Sequence, residues 1–333
     1  MWISESSTLN NKDMAMKKIY PLLVLVFAWQ ITSAQQEPQY TQFMFNKLAY
    51  NPAYAGTFES PTLTAIYRKQ WIGLDGAPET QILSYNQRAA NNRVGIGGNL
   101  VRNTIGISRS ITLDVPYSYR IPVKRGFLSF ALQFNVRHLY QNWADPRLNP
   151  TQKFDNAIPT DAQSKLLVNF GAGIFYSGYK WYAGVALPRL KDNNIDFADI
   201  DGVLSREVQH YNGMAGMTFD LHDDIELTPQ FLVKYVPNAP PDADVNISVL
   251  VKKKFYGGVT YRTGGDTNGA GESVDALAGM QATENLFICL SYDIGLTRLR
   301  KYNNGSVEAT VRWWFNPPAQ IGDDGVPNPN RPW

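Results

Sequence analysis

The chain has 333 residues, 44% hydrophobic and 13% aromatic, with a formal charge of +2. So even a balance gives no electrostatic reason to expect nucleic acid as a partner. The single cysteine, Cys289, excludes an intrachain disulfide framework and a thiolate metal cluster.

Near the N-terminus, Lys17 and Lys18 precede the apolar run Leu22 to Ala28, and Thr32-Ser33-Ala34 follows. This is the layout of a secretory signal, so residues 1–34 are expected to be upstream residues and a cleaved signal peptide. The expected start is Met14 or Met16, and the mature chain begins at Gln35. The apolar run is about half the ~20 residues of a spanning helix, and no cysteine follows the cleavage site to carry a lipid. Residues 35–61 are aromatic and Asn-rich without a strand period. They suit either a plug inside a barrel or a periplasmic segment with a short amphipathic helix, and both readings stay open.

From residue 62 a period of two takes over. Leu128, Phe130, Leu132, Phe134 and Val136 alternate with Ser129, Ala131, Gln133, Asn135 and Arg137, and Val307, Ala309, Val311, Trp313 and Phe315 with Glu308, Thr310, Arg312 and Trp314. One face is apolar and the other carries charge, which is a strand signal. Such segments fall near 62–71, 80–88, 94–102, 107–120, 126–140, 165–177, 179–188, 209–220, 225–235, 244–253, 255–262, 273–282, 286–293 and 306–315. Short turns alternate with long loops at 141–164, 189–208, 236–243, 263–272 and 294–305. About fourteen strands with this asymmetry predict an all-β fold, a transmembrane antiparallel barrel over 62–315 in the outer membrane. A water-soluble sandwich also alternates. Strands of nine to eleven residues or more, with Tyr117, Tyr119, Tyr176, Trp181, Tyr235, Tyr261, Tyr292 and Trp313 near their ends, favour the membrane. Residues 316–333 read as a flexible tail rich in Gly, Pro and Asn.

No chemistry stands out. Gly95-Ile96-Gly97-Gly98 begins a strand with no helix after it, so it is no dinucleotide loop. His138, His210 and His222 lie on three separate segments, without the spacing of a shared metal site. Catalytic, cofactor-binding and metal residues are therefore expected to be none. The charges Arg68, Arg88, Asp114, Arg120, Arg137, Asp220, Lys234, Asp244, Lys252, Arg262, Asp275, Asp293, Glu308 and Arg312 fall on the polar face, and their mixed signs predict mutual pairing in a closed lumen. Function is then expected in the long loops. Trp143, Pro146 and Phe154 in one, and Ile195, Phe197 and Ile200 in the next, are the candidate partner-binding residues.

Several blocks carry a resemblance. They are Pro38-Gln39-Tyr40-Thr41-Gln42-Phe43-Met44-Phe45-Asn46, Tyr50-Asn51-Pro52-Ala53-Tyr54-Ala55-Gly56, Arg68-Lys69-Gln70-Trp71-Ile72-Gly73, Tyr117-Ser118-Tyr119-Arg120-Ile121-Pro122 and Pro229-Gln230-Phe231-Leu232-Val233-Lys234-Tyr235. Together with Asn169 to Ile174, Tyr182 to Pro188 and Gly257 to Gly264, the chain resembles the PorP/SprF family of outer-membrane proteins along essentially the whole mature sequence. The resemblance implies a component of the type IX secretion system of the Bacteroidota that secretes or anchors surface adhesins, including gliding adhesins, by engaging their type B C-terminal domain. It further implies other secretion components and a peptidoglycan-binding periplasmic lipoprotein as partners. From the barrel pattern alone, the rival reading is a plugged fourteen-stranded transporter or channel for small hydrophobic substrates.

Overall fold

A computed structural model describes residues 39–146, 161–197, 206–237, 239–264 and 271–315. The expected signal peptide and tail, with Phe154 and Ile200, lie outside these residues.

Fourteen antiparallel strands form one sheet that closes on itself. In chain order they are β1 (Thr62–Lys69), β2 (Glu79–Ala89), β3 (Val94–Ile105), β4 (Ser108–Val123), β5 (Gly126–Gln141), β6 (Gln163–Gly178) and β7 (Trp181–Leu187). Strand β8 runs over Tyr211–Met217 and continues as Phe219–His222; then come β9 (Ile225–Tyr235), β10 (Asp242–Val251), β11 (Phe255–Arg262), β12 (Ser273–Thr283), β13 (Leu286–Gly295) and β14 (Ser306–Trp314). The ring closes where β1 meets β14, with Arg68 opposite Glu308 and Thr62 opposite Trp314. Closure matters because a bilayer offers no hydrogen bonds to an open strand edge. One end carries short turns, as at 124–125, 179–180, 223–224 and 284–285, and the other carries the long loops. By the usual asymmetry of such barrels the short-turn end is periplasmic.

Alternation decides the two faces. Ile111, Leu113, Val115, Tyr117 and Tyr119 of β4 point outward and exposed, whereas Thr112, Asp114, Ser118 and Arg120 between them are buried. The pattern inverts that of a soluble protein: the apolar face meets lipid and the polar face lines the lumen.

Residues 39–58 lie within that lumen. Tyr40 to Leu48 and Tyr50 to Gly56 are all buried, in three short 3-10 turns, Phe43–Phe45, Lys47–Ala49 and Pro52–Tyr54. The path has a direction. Gln39 Nε2 donates to Asp242 Oδ2 (3.0 Å) at the loop end of β10. Further on, the Phe45 ring packs against Tyr256 and Phe287 (centroids 5.2 and 4.9 Å), near the periplasmic ends of β11 and β13. Gly56 N then donates to Asn86 Oδ1 (2.6 Å) low on β2. The segment descends from the loop end to the turn end and enters β1 there.

Candidate functional site: a plugged lumen beneath a latched outer loop

Carboxylates on the barrel wall hold the start of the plug. Glu308 accepts from the backbone N–H of Thr41 through Oε2 and of Gln42 through Oε1, both at 2.9 Å. Asp293 Oδ2 accepts from the Thr41 hydroxyl (2.7 Å). Arg68 Nη1 ties both acids together, 2.7 Å from Asp293 and 3.1 Å from Glu308. A second group follows the next strands: Arg262 Nε pairs with Asp244 (2.6 Å), Lys234 with Asp242 and Asp244 (2.8 and 3.0 Å), and Arg262 Nη2 donates to the Tyr40 carbonyl (3.2 Å). Buried charges survive when paired and hydrogen-bonded, and here the plug backbone supplies part of that pairing.

The middle of the plug rests on bare backbone. Asn51 accepts from Ala53 N (2.9 Å), capping the turn that Pro52 begins, and its amide nitrogen donates to the carbonyls of Ile174 and Val185 (3.0 and 3.3 Å). This approach requires glycine at 173, where a Cβ would stand 2.4 Å from Asn51 Oδ1. Lower down, Gly56 has φ +76, and a Cβ on Gly95 would sit 2.0 Å from the Ala55 carbonyl. Tyr54 packs edge-on to Phe58 and Phe175 (5.7 and 5.4 Å), and Phe43, Met44 and Asn46 earlier in the plug are buried as well.

At the periplasmic end Arg312 donates to the Phe45 carbonyl and to Thr64 Oγ1 and lies over the rings of Phe45, Phe58 and Trp314. Arg120 lies over Phe127 (4.3 Å) and donates to the Asn92 carbonyl. Lys47 is different. Its ammonium donates to the Met44 carbonyl (2.9 Å) and faces Tyr182 (4.7 Å to the centroid) and Tyr54, with no carboxylate paired to it among the described residues. Burial, with Arg312 nearby, pushes its pKa well below the usual lysine value.

Thus Arg68, Arg120, Arg137, Asp244, Arg262, Asp293, Glu308 and Arg312 all sit on the inward face, and all but Arg120 and Arg137 belong to plug-bearing clusters. Asp220 and Lys252, expected in the lumen, instead lie exposed at the short-turn end. Asp220 pairs there with Lys180 (2.8 Å), and Lys252 occupies a turn with φ 52. Strand termini lose the wall that would enclose them.

Above the plug, Glu207 latches the loop between β7 and β8. A short ribbon, Asn193–Asn194 paired with Arg206–Glu207, brings Glu207 to Arg137 of β5 (2.9 Å) and to Arg189 (3.2 Å). Asn169 and Asn193 donate to its other oxygen (3.1 and 2.9 Å). Burial alone would raise the Glu207 pKa, but the two guanidinium groups and the amide donors hold it below the usual carboxylate value. Glu207 escaped the sequence reading because its partners come from three separate segments. Of the candidate loop residues, Pro146 is exposed, and Trp143, Ile195 and Phe197 are half-buried. The second of these loops meets the start of β6, where Lys165 Nζ donates to the Asp196 carbonyl (3.2 Å).

The wall itself is uneven. Strand β6 pairs with β5 along its whole length, but with β7 only from Ala172 to Ser177. Phe170 O accepts from Leu190 N (2.8 Å) and Val168 O from the Asn193 side chain (3.3 Å). Backbone groups alternate in direction along a strand, so those of Leu166 face the same way, and no described residue bonds to them there. Leu166 is 65% exposed and lies opposite His138, an outward histidine that marks where the lipid face gives way to water.

The chain is similar to the Ralstonia pickettii toluene transporter TbuX (11% identity over 83% of this chain and 94% of that one, TM-score 0.49). It is also similar to the CymD monoaromatic hydrocarbon channel (11%, 86% and 95%, TM-score 0.49) and to the Acinetobacter baumannii outer membrane protein Omp33 (7%, 78% and 100%, TM-score 0.46). No curated protein matches the chain. The family described as type IX secretion system membrane protein PorP/SprF matches residues 32–313, the plug and nearly all of the outer-membrane barrel, and the chain belongs to that family.

Proposed function

We propose that this barrel is a noncatalytic attachment or secretion partner for surface adhesins, binding their type B C-terminal domain at its loop end. The observation that carries the reading is the lumen, which residues 39–58 occupy and tie to both walls. A filled lumen moves the work to the loops. There the latched β7–β8 loop and the unpaired edge of β6 offer a surface on which an exported domain can seat, by strand addition among other contacts. Family membership implies other secretion components as partners; a peptidoglycan-binding lipoprotein would meet the short-turn end.

The test is capture of the tagged barrel from membranes, with bound proteins identified by mass spectrometry. Enrichment of an adhesin C-terminal domain supports the reading. Enrichment of lipid-like small molecules without any secretion substrate would overturn it in favour of a transporter.

A further inference from the structure

The rim of the barrel above the outer tyrosines is cationic along one arc. The loop between β13 and β14 holds a 3-10 turn, Arg298–Lys301, with no residue buried. Its sequence from Gly295 to Ser306 carries Arg298, Arg300 and Lys301 and no acidic residue. Among the described residues Arg300 and Lys301 enter no ion pair, and Leu299 and Tyr302 beside them are exposed, Tyr302 at 71%.

Height is set by hydrogen bonds and register. Outward-facing Tyr292 donates from its hydroxyl to the Asn304 carbonyl (2.7 Å), which pins this loop to the tyrosine level. On β1, beside β14, outward Tyr67 is followed two residues later by Lys69, exposed and, among the described residues, in no ion pair. On the same outer face Arg102 of β3 lies in register with Tyr67 through Gln81, and Arg109 of β4 in register with Lys69 through Glu79 and Thr104. Two acids lie in the arc: Asp75, in the 70–78 loop that bonds the β13–β14 loop, and Glu79, opposite Lys69, which is half-buried and accepts from Gln81 Nε2 (3.1 Å). Tyrosines mark the headgroup level of a membrane barrel. Cations immediately above them, interleaved with exposed apolar side chains, face the plane where lipid phosphates lie.

We propose that the arc formed by Arg300, Lys301, Lys69 and Arg102 is a binding site for the phosphate-bearing headgroup of an outer-leaflet glycolipid. The phosphates seat between the loop and β1, while Leu299 and Tyr302 rest against the acyl boundary. Charge complementarity selects this occupant. An uncharged lipid gains nothing from four cations, and a free anion gains nothing from the exposed apolar pair.

The experiment compares the whole barrel with the double variant Arg300→Glu/Lys301→Glu, both purified in neutral detergent and incubated with lipid A. Retained lipid is counted by native mass spectrometry, and stability is followed by heat-modifiable gel migration. At about fivefold in affinity per cation, the variant should hold lipid A roughly 25-fold more weakly or worse, and added salt should erase the wild-type advantage. Equal retention by the two proteins overturns the site. So does equal stabilisation of the wild type by inorganic phosphate, which would mean a free-anion site. Loss of adhesin capture with lipid A retention unchanged would reassign the arc to protein docking and overturn it as well.

Discussion

Replacing Glu308 by alanine should loosen the plug and leave the barrel closed. The carboxylate receives two plug N–H groups, each at 2.9 Å, and contacts Arg68 at 3.1 Å. Hydrogen bonds to a charged group contribute about 1.5–3 kcal/mol each, so removing both amounts to roughly 3–6 kcal/mol, part of which water entering the vacated space offsets. Arg68 keeps Asp293 at 2.7 Å, so the wall pairing of β1 with β13 and β14 survives. At about 1.4 kcal/mol per decade, the displaced state of the plug should gain roughly a hundredfold or more in population. Conductance in planar bilayers reads this directly. Wild type should be mostly closed and Glu308→Ala should flicker open, with deletion of residues 39–58 marking the fully open limit. Glu308→Gln, which keeps one acceptor, should fall between. If the deletion conducts but Glu308→Ala stays closed, the carboxylate is not the anchor. If the deletion itself stays closed, something other than this segment fills the lumen.

Leu166→Pro removes an N–H from the edge of β6 that no described residue pairs, without touching the β5 ladder, so the barrel should fold and migrate normally while adhesin capture falls. Unchanged capture would mean that the edge plays no part. Lys47→Met should raise the heat-modification midpoint at neutral pH. A base with a depressed pKa in the folded state costs stability as pH drops below its unfolded value near 10.5, so the wild-type midpoint should climb toward that pH and the variant's should not. A lower midpoint for Lys47→Met at neutral pH would show that the contacts to Tyr182 and Met44 outweigh desolvation. Glu207 has a lowered pKa, so its latch is fully present above the usual carboxylate value and is lost only as pH falls through the folded one. Glu207→Gln should therefore speed hydrogen exchange in the Asn193–Asn194 and Arg206–Glu207 ribbon at neutral pH, where wild type is protected.

The strands were readable because a lumen and a bilayer impose opposite polarity on alternate residues. Strand β5 was expected at 126–140 and runs over Gly126–Gln141, and Asp244 and Arg262 fell on the inward face by parity alone. Local backbone conformation limited the rest. The first strand was read to 71 but stops at Lys69, where Gln70 N turns to the Pro78 carbonyl and Trp71 takes φ 47. The strand expected over 209–220 breaks at Thr218, whose side chain bonds Thr228 across the lumen face. Periodicity is silent about partners far apart in sequence. Nothing in Thr41 or Gln42 announces Glu308, 266 or 267 residues away, and nothing in Arg137 announces Glu207. The Asn51-Pro52 pair did carry a local signal, an acceptor side chain ahead of a turn-starting proline, but the backbone it would approach was not visible in it.

The plug and the rim charges are two answers to one electrostatic problem. An inward charge on a strand must find its counter-charge across the lumen or on whatever fills it, since neighbouring strands present only the few groups their register allows. Glu308 shows the consequence. Its cross-strand neighbour Arg68 is already shared with Asp293, and the plug's N–H groups complete its coordination. The wall is therefore incompletely satisfied without the plug, which explains why the segment is seated on charges at its start and on glycine-lined backbone farther down. An outward charge has fewer such partners. Lys69, one residue after Arg68 and facing the opposite way, has only Glu79 across the strand pair and otherwise faces what lies outside the barrel. The same alternation that buries Arg68 against the plug thus aims Lys69 at the headgroups.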